Sequence, residues 1–447
     1  MKAKFLLYIV CIIGWLPVFG QDAWKAGVAK TVITPETPLW MAGYASRTQP
    51  GDGKIHDLWV KALALEDVTG RRAVVVTSDM LGFTRSLTDR IRQRLEKELD
   101  LTPAQILLNS SHSHSGPVLP HALVDIYTID APMQAAIERY DKQLEEWVVR
   151  TIVEAFEKCE PARLYAANGT ARFQVNRRNN SEREILTLNE LKGPNDHAVP
   201  VLKVVSASDE IRAILFGYAC HPTVLSGYEF SGDYPGFAQI ALEESYPGAM
   251  ALFFQGAGAD QNPLPRRTVA LARQYGKTLA AAVECVLEGE MELLPAALQV
   301  SYSEVDLPLE APPTTEELEQ IIETQKGYQQ NWAKRMLNEK QYISSYPYPV
   351  QVWNVGGLPL VSLGGEVAVQ YAIDLKKALG QKTFVFGYAN DVMAYIPSAV
   401  ILEEGGYEGN DSQKVYGLPA VWKKGIDEHI MQELLNLANL TNLIKYE

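Results

Sequence analysis

A chain of 447 residues, 47% of them apolar, has enough material for a large buried core, and its formal charge of −13 argues against nucleic acid as a partner, since phosphate binding needs a basic surface. That charge is compatible with a small-molecule or amphiphilic lipid substrate. Beyond the amino end, no run is long and apolar enough to span a bilayer, so membrane contact is expected to be peripheral at most.

At the amino end, Lys2 and Lys4 precede an apolar run over 5–16 and small or turn residues up to Gly20. This is the pattern of a cleavable signal peptide over 1–20, and the remaining chain, 21–447, is expected to be a single domain that is secreted or periplasmic. Cys11 lies within the apolar run without the small residue that precedes a lipidated cysteine, so no lipoprotein is expected. Cys159, Cys220 and Cys285 remain, and three thiols imply no disulfide framework.

Further along, 72–79 reads as a strand, and Leu87, Ile91, Leu95 and Leu99 form the stripe of an amphipathic helix. The apolar Ile106-Leu107-Leu108 then runs as a strand into Asn109-Ser110-Ser111-His112-Ser113-His114-Ser115-Gly116-Pro117, which holds two of only seven histidines. Alternate residues of a strand share a face, so His112 and His114 are expected to point into one cavity, as half of a metal site or as hydrogen-bonded polar residues. A helix follows over 133–156. The strand 211–219 again runs into Cys220-His221-Pro222, repeating the plan of an apolar strand that ends in a histidine and a breaker. Cys220 reads as a packing residue, although a thiolate also suits zinc.

An alanine-rich helix is expected over 269–287. Pro312-Pro313-Thr314-Thr315 then caps a long charged helix reaching about residue 342, read as an insertion or lid or as a solvated connection. The run 358–363 and two glycines lead to Glu366, an acid costly to bury without a cationic partner. A closing helix is expected over 419–446. Strands ending in motifs and alternating with helices predict an α/β fold, a layered mixed sheet flanked by helices.

The run His112-Ser113-His114-Ser115-Gly116-Pro117 resembles the Thr-His-Thr-His-Ser-Gly-Pro signature of the neutral/alkaline non-lysosomal ceramidases. The resemblance continues in order through Met41-Ala42-Gly43-Tyr44, Asn176-Arg177-Arg178, Cys220-His221-Pro222-Thr223, Ser231-Gly232-Asp233 and Phe254-Gln255-Gly256-Ala257-Gly258-Ala259-Asp260. Gly364-Gly365-Glu366, Gly387-Tyr388-Ala389-Asn390, Tyr395 and Tyr407-Glu408-Gly409 complete it. It implies that Zn2+ is held by His112, His221, Glu366 and Tyr395, with His114 beside the metal for proton transfer. It further implies that Arg177 and Tyr407 serve the substrate and that Asp260 orients a histidine or takes a proton. Full-length members carry a β-sandwich domain after the region matched here, which is expected to be missing from this chain.

Two neutral imidazoles and one carboxylate would leave zinc one net positive charge and room for water, the makings of a Lewis acid. A tyrosine ligand would have to be ionised or weakly bound, because a free phenol titrates near 10. One departure stands out. Where the family carries Asp-x-Ser-Pro with a catalytic serine, this chain reads Asp260-Gln261-Asn262-Pro263. A carboxamide cannot accept an acyl group, but Asn262 can donate to a developing oxyanion. The expected activity is amide hydrolysis of an N-acylated (sphingo)lipid by zinc-activated water. A zinc hydrolase of a glycoside or ester on the same scaffold, and a zinc-containing binding protein without turnover, are the alternatives.

Overall fold

Val74, Val75 and Val76 are each fully buried because their strand is covered on both faces, and the same holds for Ile214, Leu215 and Phe216. In the computed structural model, which describes residues 23–340 and 342–444, these strands sit at the centre of four layers. The expected signal peptide lies outside the described residues.

The larger sheet runs in the order Ile106–Ser110, Arg72–Ser78, Trp59–Glu66, Trp24–Val32, Glu160–Thr170, Ala198–Ser206, Ile211–Tyr218, Met250–Gln255, with Glu292–Leu294 also paired to Glu160–Thr170. Pairing is parallel at the two ends of this order and antiparallel between them, so the sheet is mixed as expected. One face carries helices. Arg85–Leu99 and Ala131–Glu157 bury Leu87, Ile91, Leu144 and Val148 against Val74, Val76 and Leu108, while Asp233–Ser245 and Val269–Glu288 cover Ile214 and Phe216.

The other face packs against a second sheet, Leu298–Pro308, Ser345–Val355, Leu358–Leu363 and Phe384–Phe386, through Val75, Leu107, Leu215, Phe254, Trp353 and Phe386. Alternation along each strand decides the partner: Val74 and Val76 face helices, and Val75 faces the second sheet. The helices Val369–Leu379 and Ile426–Leu440 cover the outer face of the second sheet. The expected layered α/β architecture is present, with a second sheet added.

Two helices differ from expectation. The stretch 312–342 is not one helix but two, Thr315–Thr324 and Tyr328–Glu339, separated at Gly327, whose φ of +65° no right-handed helix accommodates. Thr314 and Glu317 form a capping box on the first. The pair encloses its own small core of Leu318, Trp332, Ala333 and Met336, and Trp332 donates its indole N–H to the Leu418 carbonyl. The closing helix begins only at Ile426, after Gly425 in the left-handed region. Among the described residues, no helix is long and apolar enough to cross a membrane, and Cys159, Cys220 and Cys285 are all free thiols.

The topology gathers three strand ends. Asn109 donates its amide to the Gly387 carbonyl (2.6 Å), and its Oδ1 accepts from the Gln255 N–H (3.0 Å). One carboxamide thereby ties the carboxyl ends of Ile106–Ser110, Met250–Gln255 and Phe384–Phe386. The functional loops leave from this junction.

Candidate metal centre

His112 and His114 converge, but not by strand alternation. The strand ends at Ser110, and His112 then adopts a left-handed backbone with φ +62° that turns the chain back on itself. The two Nε2 atoms end 3.2 Å apart. His221 arrives from the end of Ile211–Tyr218, and the ligand nitrogens of His112, His114 and His221 all lie within 4.8 Å of one another, a group that can hold a metal ion. His112 and His221 are fully buried, and His114 is partly exposed.

Backbone carbonyls orient two of the rings. His112 Nδ1 lies 2.7 Å from the Leu81 carbonyl and His221 Nδ1 2.8 Å from that of Gly258, so each Nδ1 carries the proton and each Nε2 presents a lone pair. Both lone pairs face one atom. Glu366 Oε2 is 2.9 Å from His221 Nε2 and 3.2 Å from His112 Nε2. Burial raises the Glu366 carboxyl, but positive charge at the positions of the two imidazoles outweighs it and holds the group well below the usual range. Burial also lowers His221 to about 4.

Glu366 follows Gly365, whose φ of +66° and close approach to the Ala394 carbonyl leave no room for a Cβ. The short parallel pair Glu366–Val367 and Tyr395–Ile396 sets Tyr395 beside Glu366. Its backbone carbonyl is held by Trp422 Nε1, its ring stacks 6.5 Å from His221, and its hydroxyl accepts from Arg177 Nη2 at 3.1 Å. Burial and the Glu366 carboxylate push this phenol well up, against the pull of Arg177.

Arg177 is clamped. Its Nε donates to Glu408 Oε1 (2.7 Å), and its Nη1 reaches 3.5 Å from Asn262 Oδ1. Glu408 also takes Arg178 Nη1 at 2.7 Å, from a single π-helical turn, Tyr407–Asp411, that follows Gly406. Tyr407 is half-exposed, with its ring 5.4 Å from that of Tyr395. Asn262 sits on the short strand Gln261–Pro263, paired with Gln174–Asn176, and this brings it beside Arg177.

Asp260 does not orient a histidine as expected. Its Oδ2 accepts from Asn176 Nδ2 (3.0 Å) and its Oδ1 from the Val369 N–H (2.9 Å), so its carboxylate joins two segments and makes no hydrogen bond to a histidine among the described residues. The group that orients His221 is the Gly258 carbonyl instead. Backbone acceptors leave no trace in a motif, which is why the sequence pointed to the acid.

Three further residues belong to the site. The Tyr416 hydroxyl donates to Glu366 Oε1 at 2.6 Å and satisfies the second carboxylate oxygen. Glu408 positions both arginines, although its motif drew attention only through its tyrosine. Tyr388 lays its ring 4.4 Å from that of His112. Nothing local marks Tyr416: it lies fifty positions from its partner, on the segment against which the helix Tyr328–Glu339 docks.

Near this centre Asp391 is buried and accepts from the Tyr346 hydroxyl (2.6 Å); burial raises its carboxyl to about 7, with Tyr346 and Arg85 opposing. Its unfolded value is about 3.9. Between those values the folded chain keeps a proton that the unfolded chain releases. This contribution to stability is therefore complete below about pH 4 and is lost as pH rises through about 7. Asp391→Asn, a mimic of the protonated acid, should stabilise the protein by a few kcal/mol at pH 8 and by little near pH 4. Urea midpoints of both proteins across that range test it, and a gain independent of pH would refute it.

Comparisons with known proteins follow the same geometry. The model of the family described as neutral/alkaline non-lysosomal ceramidase, N-terminal, matches residues 24–263, which include His112, His114, Arg177, His221 and Asn262. A curated relative, neutral ceramidase B of Dictyostelium discoideum, is 25% identical over 272 residues, covering 55% of this chain but only 36% of the relative. The crystal structure of neutral ceramidase from Pseudomonas aeruginosa superposes with a TM-score of 0.73 at 21% identity, over 95% of this chain and 76% of that one. A ceramidase complexed with C2 gives the same TM-score and coverage at 18% identity. These structures share the fold, including the region beyond residue 263 that supplies Glu366, Tyr395 and Tyr407. With more than half its length matched by the family model, the chain belongs to the neutral/alkaline non-lysosomal ceramidase family.

Proposed function

We propose that this protein is a zinc-dependent hydrolase that cleaves the amide bond of an N-acylated lipid. One observation carries the reading: the Nε2 lone pairs of His112 and His221 and the oxygen Glu366 Oε2 converge within 3.2 Å while both Nδ1 atoms are tied to carbonyls. Lone pairs and a carboxylate repel unless a cation lies among them, and nitrogen and carboxylate donors suit zinc. The donor set fits. His112, His221 and Glu366 would hold the ion, with Tyr395 as a further oxygen and His114 adjoining. Bound there, zinc supplies a Lewis acid and lowers the pKa of bound water to roughly 7.

The remaining roles fall to the chain's own groups. Burial, with His112 and His221 alongside, favours the neutral His114 imidazole, and its Nε2, 3.2 Å from that of His112, is near enough to the metal position to take a proton from the attacking water and return it to the leaving nitrogen. Asn262 cannot form an acyl intermediate, so water adds directly. Arg177, held rigid by Glu408, and the Asn262 amide are placed to donate to the oxygen on which negative charge develops. Asp260 and Tyr416 position the machinery without taking part in proton transfer.

The test is release of fatty acid from a fluorescent short-chain ceramide by zinc-loaded protein, with a parallel panel of esters and glycosides. Chelator should abolish the release and added zinc restore it. Fully metallated protein that leaves the amide intact but cleaves an ester or glycoside would replace this reading.

A further inference from the structure

A cavity of about 450 Å3 is lined by Arg177, Asn262 and Tyr407, and Arg177 and Tyr407 adjoin Tyr395 beside the metal centre. Its wall is the wrong chemistry for an alkyl chain. Leu264 is the one aliphatic side chain among the described residues that line it; the rest offer guanidinium, carboxylate, carboxamide and phenol groups. Nor does the wall select an anion, because its arginines are already matched. Arg266 makes a two-pronged pair with Glu182 (2.8 and 2.5 Å), and Arg177 and Arg178 share Glu408. Paired this way, planar forks and carboxylates present donors and acceptors side by side with little net charge. Vicinal hydroxyl groups, each both donor and acceptor, match that arrangement.

Two further features fit a ring bearing hydroxyls. Asn262 is only 4% exposed and its amide nitrogen makes no hydrogen bond among the described residues, so its two hydrogens can serve both the developing oxyanion and a hydroxyl in the cavity. Tyr407 is 44% exposed and offers an aromatic face at the mouth, which suits the C–H face of a sugar ring.

We infer that the amine half of the substrate is polyhydroxylated throughout, so that the enzyme prefers an N-acylated amino sugar or sugar-bearing lipid to an amide of a long-chain base, whose two hydroxyls give way to an alkyl chain. The inference rests on the proposed amide hydrolysis. The oxygen of water bonds to the acyl carbon, the C–N bond breaks, and the nitrogen takes up a proton, giving a carboxylate and a free amino sugar. The polar wall sets the preference: an alkyl chain in its place would cover guanidinium, carboxylate and carboxamide groups without offering them the hydrogen bonds that hydroxyls can make.

The experiment compares N-octanoyl-glucosamine with N-octanoyl-sphingosine, each with zinc-loaded full-length protein, with and without chelator, following release of the amine. We expect kcat/KM for the sugar amide to be at least tenfold higher. Chelator-sensitive cleavage in which the sphingosine amide is equal or better would overturn this inference while leaving the hydrolase reading intact. If neither amide is cleaved, the hydrolase reading fails, and calorimetry with N-octanoyl-glucosamine decides the cavity: saturable binding supports a polyhydroxylated ligand, and its absence refutes one.

Discussion

Replacing His221 by alanine is expected to reduce bound metal from about one ion per chain to a small fraction and to lower kcat/KM by about a thousandfold, since Lewis-acid stabilisation is worth several kcal/mol. The ring is fully buried and joins two parts of the chain: Nδ1 to Gly258 and Nε2 to Glu366. Its loss, and the loss of the ion with it, leaves the Glu366 carboxylate buried with the Tyr416 hydroxyl as the donor that remains to it. An under-compensated buried charge destabilises the fold, so the variant should also melt below the wild type. Metal content by elemental mass spectrometry, turnover, and melting temperature with and without zinc are the readouts. Zinc should raise the wild-type melting temperature by mass action and leave the variant unmoved. A variant with a full complement of metal would show that the ion sits elsewhere.

The sequence revealed this site only partly, for physical reasons. Strands such as Arg72–Ser78 and Ile211–Tyr218 were legible because burial on both faces makes their central residues, Ala73–Val76 and Ala213–Phe216, apolar without a break. His112, His221 and Glu366 were legible because each follows such a run at a breaker. What escaped depends on contacts between distant segments. Leu81 and Gly258 act through backbone carbonyls that any residue possesses, and Tyr416 meets Glu366 only because the segment near Leu418 is held by the helix bearing Trp332. Asp260 shows the converse. It has the chemistry of a catalytic acid and stands in a motif, yet both its oxygens are taken up by Asn176 and Val369. The second sheet was hidden because Ser345–Val355 and Leu358–Leu363 are apolar in the same way as strands of the first, and local pattern does not say which strands pair.

Gly43→Ala is expected to lower kcat by about a hundredfold through His114 alone, the scale of a misplacement of about 1 Å at a reacting group. Gly43 has φ +98°, and a Cβ there would stand 2.5 Å from His114 Cγ and Nδ1, so the residue is costly to change both for its backbone and for its neighbour. The segment cannot retreat, because the Ala42 N–H is bonded to the Gly116 carbonyl and the Ala42 carbonyl accepts from the buried Arg47. The imidazole must yield instead, and it is flanked by Tyr44 at 4.8 Å and His112 at 4.9 Å. Its Nε2 then leaves the cluster. His112, His221 and Glu366 are untouched, so zinc should remain bound at about one per chain while turnover falls, the outcome expected of a proton carrier beside the metal. Because His114 lies within the group of three histidines able to hold an ion, metal analysis of this variant separates the two assignments. Loss of zinc in step with activity would make His114 a ligand and move proton transfer to another group.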